Sequence, residues 1–199
     1  GFSSWASITA ALNTRPAMCS RSRKTQSRTA KAEMEIGVTI RHAAWRTALP
    51  DARRVTRNAA LAALASTAET AATELAVVLA DDVLLRNLNS AYRDVDKATN
   101  VLAFSYANSN PSLAPFENDV LGDVVISLER AAEEAKDSDI SLSEHLSHLV
   151  IHGVLHLLGH NHITKSDAKT MEELEIRTLA GIGIANPYAP QSTEKNDER

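Results

Sequence analysis

Three histidines within a short stretch are the residues of this chain best suited to chemistry. His152, His156 and His162 lie in the segment HGVLHLLGHNH, and the first two are four residues apart. On a helix that spacing places both side chains on one face, with their Cβ atoms about 5–6 Å apart. Gly159 can adopt the left-handed conformation that ends a helix, so the chain can turn back and bring His162 to the same point. The spacing predicts a metal site with three imidazole ligands.

The metal that we expect at these imidazoles is zinc, one ion per chain. Imidazole nitrogens also suit other divalent transition metals, which stay open as alternatives. Three protein ligands leave one position of a tetrahedral zinc ion free for water, and that arrangement is typical of catalytic sites.

The same stretch has the spacing of the metzincin peptidases, H-E-x-x-H-x-x-G-x-x-H, with one departure. Position 153 is Gly, where those enzymes carry the glutamate that serves as general base. Without that carboxylate the site lacks the group that accepts a proton during peptide hydrolysis. A metallopeptidase that lacks its usual base is therefore an alternative, ranked second.

Strands and helices are expected in the order β-α-β-α-β-β-α-α-α. Runs of apolar and β-branched residues predict strands at 34–40, 74–80, 100–106 and 123–128. Apolar residues at helical spacing predict helices after the first, second and fourth strands, and the segment rich in Asn, Ser and Pro at 107–118 reads as a loop. The predicted helices cover 51–67, about 82–92, up to about 136, up to about 158, and about 166–180. This order indicates an α+β fold, a single domain with a four-stranded mixed sheet, about five helices packed on it, and the zinc site at the end of a helix.

Polar residues next to these elements have structural interpretations. Asp81 or Asp82 can cap the helix that follows the second strand, and Ser141 or Ser143 can cap the helix that carries the histidines. Asp123 is interpreted as a turn or strand-end residue rather than a catalytic acid.

Composition and charge restrict the kind of protein. With 199 residues, 44% of them hydrophobic, the chain can bury a core as one domain. No apolar run approaches the ~20 residues that span a bilayer, so no membrane partner is expected. Residues 1–33 contain six basic and one acidic side chain, a balance of +5, and the whole-chain charge of −4 therefore leaves −9 for residues 34–199. An RNA substrate would then need a local basic patch or a protein partner to deliver it.

The first 33 residues differ in composition from the rest of the chain. They are rich in Ser, Thr, Ala and Arg and lack a sustained apolar period, so we expect a flexible basic extension outside the fold. The composition superficially resembles an organellar transit peptide, but Met34 opens the first periodic segment and is the plainer start of the domain. We expect the domain at 34–188 and a polar C-terminal tail at 189–199. Cys19 has no partner for an internal disulfide, which suits a reducing compartment, and we expect the cytoplasm, or an organelle if the extension is a transit peptide.

Three separated stretches resemble one known family. They are LNSAYRDVDKATNVLAF at 88–104, LGDVVIS at 121–127, and HGVLHLLGHNH at 152–162 followed by GIGIANPY at 181–188. In this order and spacing they resemble the YbeY family of single-domain, metal-dependent endoribonucleases that act in ribosomal RNA maturation. The resemblance covers about residues 34–188.

The resemblance implies that the three histidines are zinc ligands and that Arg93 is the arginine of the catalytic region. Judged without the family, Arg93 could simply pair with Asp94 or Asp96 on the surface.

Three further residues are candidates for contacts with the ligands or the substrate. Where the family usually has Tyr-Asp before its last ligand, this chain has His160 and Asn161. His148 lies four residues before His152 and shares its helix face.

The implied reaction is hydrolysis of a phosphodiester bond in single-stranded RNA. Zinc would polarise a phosphoryl oxygen, and Arg93 would neutralise charge in the transition state. Attack by metal-bound water and attack by the ribose 2′-OH both stay open. The resemblance implies small-subunit rRNA 3′-end maturation and ribosome quality control, with pre-rRNA, the ribosomal small subunit or its assembly proteins as partners. A non-catalytic ribosome-assembly factor with structural zinc is the third reading.

Overall fold

The structure is a computed structural model that describes residues 34–67, 74–106 and 120–189. The expectations of an extension at 1–33 and of a loop at 107–118 lie outside these residues, as does nearly all of the expected tail. Among the described residues, no helix is long and apolar enough to cross a membrane.

Four strands and six helices make up the described part of the chain. In chain order they are β1 (Glu35–Ile40), α1 (Trp45–Ala48), α2 (Ala52–Ala65), β2 (Glu74–Ala80), α3 (Asp82–Arg93), β3 (Val101–Ser105), β4 (Val120–Ser127), α4 (Leu128–Asp137), α5 (Leu142–Leu157) and α6 (Lys165–Gly181). Only the four-residue α1 was not predicted, because one turn is too short to show a helical period. Its fully buried Trp45 donates a hydrogen bond from Nε1 to the carbonyl of Ala80, 2.9 Å away.

The predicted mixed sheet is confirmed, with the strand order β1-β2-β4-β3. β1 pairs with β2 and β2 with β4 in parallel, whereas β3 runs antiparallel to β4 at the edge. The central strands β2 and β4 are buried on both faces, which explains their nearly continuous apolar sequences.

Helices cover both faces of this sheet. On one face, α2, α5 and α6 pack over β1, β2 and β4 in the larger apolar core. On the other face, Leu85 and Leu88 of α3 pack against Leu102, Phe104 and Val125. The candidate residues therefore come from helices on opposite faces, with α5 on the first and α3 on the second.

Of the two alternatives predicted for each helix cap, the structure selects Asp81 for α3 and Ser141 for α5. Asp81 accepts a hydrogen bond from the backbone N–H of Leu84. The interpretation of Asp123 as a turn or strand-end residue was wrong. Asp123 is neither at a turn nor at a strand end, because β4 begins three residues earlier than predicted and places this carboxylate inside the strand, 2% exposed.

Candidate metal centre

Helix α5 is the element that positions two of the three histidines. Its first turn is closed by a capping box, in which Ser141 and Glu144 satisfy each other's backbone N–H groups. Its middle is buried against the sheet, and Gly153 permits this close approach, because a Cβ there would lie 2.6 Å from Cγ1 of Val124. His152 and His156 share the partly exposed side of the helix, with ring centroids 4.6 Å apart.

The turn after α5 brings in the third histidine. Gly159 has φ 93°, and two hydrogen bonds close the helix end, from Gly159 N to the His156 carbonyl at 3.1 Å and from His160 N to the Leu155 carbonyl at 3.0 Å. This pattern is a Schellman motif, which requires a left-handed residue at the position of Gly159. The chain then reverses, and the ring of His162 lies 5.0 Å from that of His156. As predicted from the spacing, the structure brings the three histidines together, with one nitrogen of each within 4.8 Å of the others.

The hydrogen bonds of His152 and His156 fix which ring nitrogens face each other. Nδ1 of His152 lies 2.7 Å from a carboxylate oxygen of Glu175, and Nδ1 of His156 lies 3.0 Å from the carbonyl oxygen of His160. Because both partners are acceptors, both Nδ1 atoms carry a proton, and in its neutral form each ring then presents a bare Nε2. These two Nε2 atoms are 3.1 Å apart.

This geometry fits a bound cation. Two Nε2 atoms 3.1 Å apart share either a proton or a metal ion between them, and nitrogens bound 2.0–2.1 Å from a tetrahedral zinc ion are roughly 3.3 Å apart. The three imidazoles can therefore hold a metal ion.

Glu175 is the functional residue that the sequence analysis missed. It lies on α6, is 1% exposed, and contacts His152, His148 and the hydroxyl of Tyr188. The signal in the sequence was a charge in an apolar stripe, since Glu175 stands at helical spacing among Met171, Leu174, Thr178 and Leu179, all buried.

The pKa shifts of Glu175 and His156 agree with an ionised carboxylate and a neutral His156 imidazole. Burial raises the pKa of Glu175, but hydrogen bonds from His148, His152 and Tyr188 outweigh it and lower that pKa to about 2. Burial, helped by the neighbouring His152, lowers the pKa of His156 to about 4. Burial and the adjacent Glu175 carboxylate raise the pKa of the Tyr188 phenol. His156 is therefore neutral at pH 7, as a metal ligand must be.

The three candidate contact residues lie close to this cluster in different ways. His148 is 3.4 Å from both the Glu175 carboxylate and the Tyr188 hydroxyl. His160 touches the site through its backbone, whose carbonyl holds the ring of His156. Asn161 accepts a hydrogen bond from the backbone of Ile163 and so shapes the turn that carries His162.

Arg93 ends α3 and is exposed. Among the described residues it makes no hydrogen bond or ion pair with the histidines. It does lie at the same end of the sheet: its neighbour Tyr92 packs on Phe104 of β3, with ring centroids 5.4 Å apart. The last turn of α5 reaches the same end of the sheet from the other face. Its Leu157 packs on Gly122 of β4, and Gly122 pairs with Ser105 of β3.

Comparison with known proteins identifies the family. Residues 38–183 match the family described as Endoribonuclease YbeY. The chain is 44% identical over 160 residues to the endoribonuclease YbeY of Paramagnetospirillum magneticum, covering 79% of this chain and 98% of that protein. It is 42% identical over 158 residues to the protein of the same name from Azorhizobium caulinodans, covering 78% and 97% of the two chains. A third relative of that name, from Anaplasma marginale, is 47% identical over 117 residues, which cover 59% of this chain and 72% of the relative. The chain belongs to the endoribonuclease YbeY family.

Proposed function

We propose that this chain is a zinc-dependent endoribonuclease that cleaves single-stranded RNA during maturation of the 3′ end of small-subunit ribosomal RNA. As a member of its family the chain is a nuclease that hydrolyses RNA. The observation that carries the zinc proposal is the pair of bare Nε2 atoms of His152 and His156, 3.1 Å apart with His162 beside them. An all-imidazole donor set suits zinc.

In this proposal the histidines bind the metal ion at the scissile phosphate, and Arg93 stabilises negative charge on the same phosphate. When bound, zinc supplies Lewis-acid polarisation of a phosphoryl oxygen. Arg93, from the other face of the sheet, offers planar N–H donors to the negative charge that grows on the phosphate oxygens in the transition state. In support of this proposal, Tyr92, the neighbour of Arg93, and the last turn of α5 contact the same end of β3 and β4 from opposite faces, so we propose that an RNA strand crossing the β3 edge there contacts both groups.

We propose that the residues around the three histidines hold these ligands in place. We assign His160 and Asn161 to holding the ligands, since the His160 carbonyl orients the ring of His156 and Asn161 closes the turn that carries His162. His148, whose side chain is 17% exposed, is assigned to the same polar network through the Glu175 carboxylate.

The ribosomal context rests on the family resemblance and on charge. Residues 34–199 carry a net charge of −9, which disfavours general attraction to RNA. We therefore propose that the ribosomal small subunit, or a protein that assembles it, presents the RNA to the site, and that this takes place where ribosomes mature, in the cytoplasm or in an organelle. A role in ribosome quality control belongs to the same proposal.

A metallopeptidase is disfavoured by the position of Gly153. The glutamate base of that class would follow the first ligand directly, but here this position faces the sheet, and even a Cβ would lie 2.6 Å from Cγ1 of Val124. A carboxylate has no room there.

Metal analysis combined with two substrates tests the proposal. The purified chain is expected to contain one zinc ion and to cleave labelled single-stranded RNA, to leave casein intact, and to lose RNA cleavage when a chelator is added. Casein cleavage would favour the peptidase. Zinc without any cleavage would favour a non-catalytic assembly factor.

Ligand substitutions test the site itself. Replacing His152, His156 or His162 by Ala is expected to weaken zinc binding sharply, because each removes one of three nitrogen donors. The matched control is His145→Ala on the same helix, since His145 is buried and pairs with Glu134 at 2.7 Å, away from the cluster. Full zinc occupancy in the triple Ala variant would refute the ligand assignment.

A further inference from the structure

We propose that Glu175 is a positioning residue for the metal centre, whose carboxylate holds the His152 ring in the tautomer and orientation that present Nε2 to the metal. The inference rests on the proposed metal site and assigns to it a residue from another helix. Oε1 of Glu175 lies 2.7 Å from Nδ1 of His152. A proton held at Nδ1 leaves Nε2 bare and directed at His156, which is the form that binds a metal.

The carboxylate is itself fixed by partners on its other oxygen. Oε2 accepts a hydrogen bond from the Tyr188 hydroxyl and lies 3.4 Å from Nε2 of His148. Tyr188 follows α6 and returns to the helix at this point, so the carboxylate is held from both sides. Oε1 is thereby left for His152.

Burial argues that this carboxylate is present for more than packing. Glu175 is 1% exposed, and its neighbours on the same face, Met171, Leu174 and Leu179, belong to the larger core. An ionised group at such a position loses hydration that an apolar side chain of similar size would not lose. An apolar residue could pack between α5 and α6, but it could not accept a hydrogen bond from Nδ1–H of His152.

The second ligand on α5 is oriented in the same manner by a different acceptor. Nδ1 of His156 donates to the backbone carbonyl of His160, 3.0 Å away. Acceptors of this kind commonly fix metal-bound imidazoles and raise their basicity. Of the two acceptors, only Glu175 is a side chain, so its contribution can be measured by substitution.

The test is zinc affinity of the full chain, measured by competition with a chromophoric chelator at a temperature where every variant is folded. Glu175→Ala is expected to raise the zinc dissociation constant by roughly 10–100-fold. Glu175→Gln keeps the size and one oxygen acceptor and is expected to raise it by a smaller factor. Imidazole ¹⁵N NMR of the metal-free protein gives a second readout: His152 is expected as the Nδ1–H tautomer in the wild type and as a mixture in Glu175→Ala.

Glu134→Ala is the matched control. Glu134 bonds His145 of the same helix at 2.7 Å, but His145 is not in the cluster, so this variant is expected to keep wild-type zinc affinity. Wild-type affinity in Glu175→Ala and Glu175→Gln would overturn the proposal, as would equal weakening by Glu134→Ala. If Glu175→Ala does not fold, Glu175→Gln decides in its place, and affinity within about twofold of wild type overturns the proposal. Absence of zinc binding by the wild type is a separate result, which refutes the proposed function itself.

Discussion

Arg93 differs from the other arginine of its helix in its partners. Arg86 makes two hydrogen bonds to Asp96, at 2.6 and 2.7 Å, and so occupies one of the two carboxylates that were alternative partners for Arg93. Within the described parts of the chain, Arg93 forms no ion pair with Asp94 or any other residue. Its guanidinium is exposed and keeps its donors available for a phosphate group.

Replacing Arg93 by Lys is therefore expected to slow RNA cleavage. An ammonium keeps the charge but loses the planar set of donors, so we expect a roughly 10²–10³-fold fall in the single-turnover rate, comparable to the loss of one preorganised donor, with RNA affinity changed less. Arg86→Lys, on the same helix, is the control and is expected to cleave at the wild-type rate. Wild-type rates in Arg93→Lys and Arg93→Ala would remove this residue from the site.

Asp123 gives a prediction about pH. Burial raises its pKa, and the hydrogen bond from the Tyr106 hydroxyl, at 2.5 Å, offsets this only in part. A raised pKa means that the folded chain holds this proton more tightly than the unfolded chain, so the stability it gives at low pH is lost as the pH rises through the folded pKa. Asn cannot ionise. The melting temperature of Asp123→Asn, minus that of the wild type, is therefore expected to increase from pH 4 to pH 7.

Asp96→Asn is the control with the opposite sign. The hydrogen bond from Arg86 lowers the pKa of Asp96, so the ionised form is the one favoured by folding. Its stabilisation is present above the unfolded pKa and lost as the pH falls below it, so the same difference in melting temperature is expected to stay nearly constant from pH 4 to pH 7 and to rise as the pH falls further. Parallel trends in the two variants would contradict the assignment of Asp123.

At the scale of elements, local patterns were enough to find the helices and strands but not their arrangement. The predicted β2 at 74–80 matches the structure, and α6 differs by one residue at each end, because burial periodicity and capping act within a few residues. The place of β4 between β2 and β3 depends on pairing between distant segments. The start of β4 was missed because Gly122 and Asp123 resemble a turn, whereas a Cβ at Gly122 would lie 2.2 Å from the carbonyl oxygen of Phe104, so the strand pairing itself requires glycine.

In the candidate site, too, the residues grouped by local spacing could be predicted, and the residue supplied by a distant helix could not. The grouping of the three histidines follows from spacing along α5 and one turn, so it could be predicted. Glu175 comes from a separate helix, and its role depends on how α6 packs against α5. Only a charge in the apolar stripe of α6 indicated it beforehand.

The turn after α5 can be tested through Gly159. Its φ of 93° is unfavourable for a residue with a Cβ, although open space surrounds the position. Gly159→Ala is expected to lower the free energy of unfolding by about 1 kcal/mol through backbone strain alone, and to weaken zinc binding because His162 follows this turn. Gly181→Ala is the control: it also has open space, lies in α6 and has no positive φ, so it is expected to be neutral or slightly stabilising. Equal stability of both variants in denaturant unfolding would contradict this account of the turn.

At the scale of the whole molecule, the sheet lies between the two halves of the proposed site. The histidines reach one end of it from the face covered by α5, and Arg93 reaches that end from the face covered by α3. β3 lies at the edge between them. Substrate binding is therefore expected to depend on the relative placement of α3 and α5, which are linked through the sheet and through α4, whose Arg130 pairs with Asp82 of α3 and whose Glu134 pairs with His145 of α5.

The proposed domain boundary gives the last prediction. Removing residues 1–33 is expected to leave melting temperature and zinc content unchanged, because that segment lacks the apolar period needed to join the core. Removal of residues 1–40 is the control, since it also deletes β1, whose Ile36 and Val38 belong to the larger core, and should abolish folding. For a chain of this size a change of ~1 kcal/mol shifts the melting temperature by roughly 2–4 °C. A larger drop on removing residues 1–33 would mean that the extension packs on the domain, and the boundary would have to move toward the N-terminus.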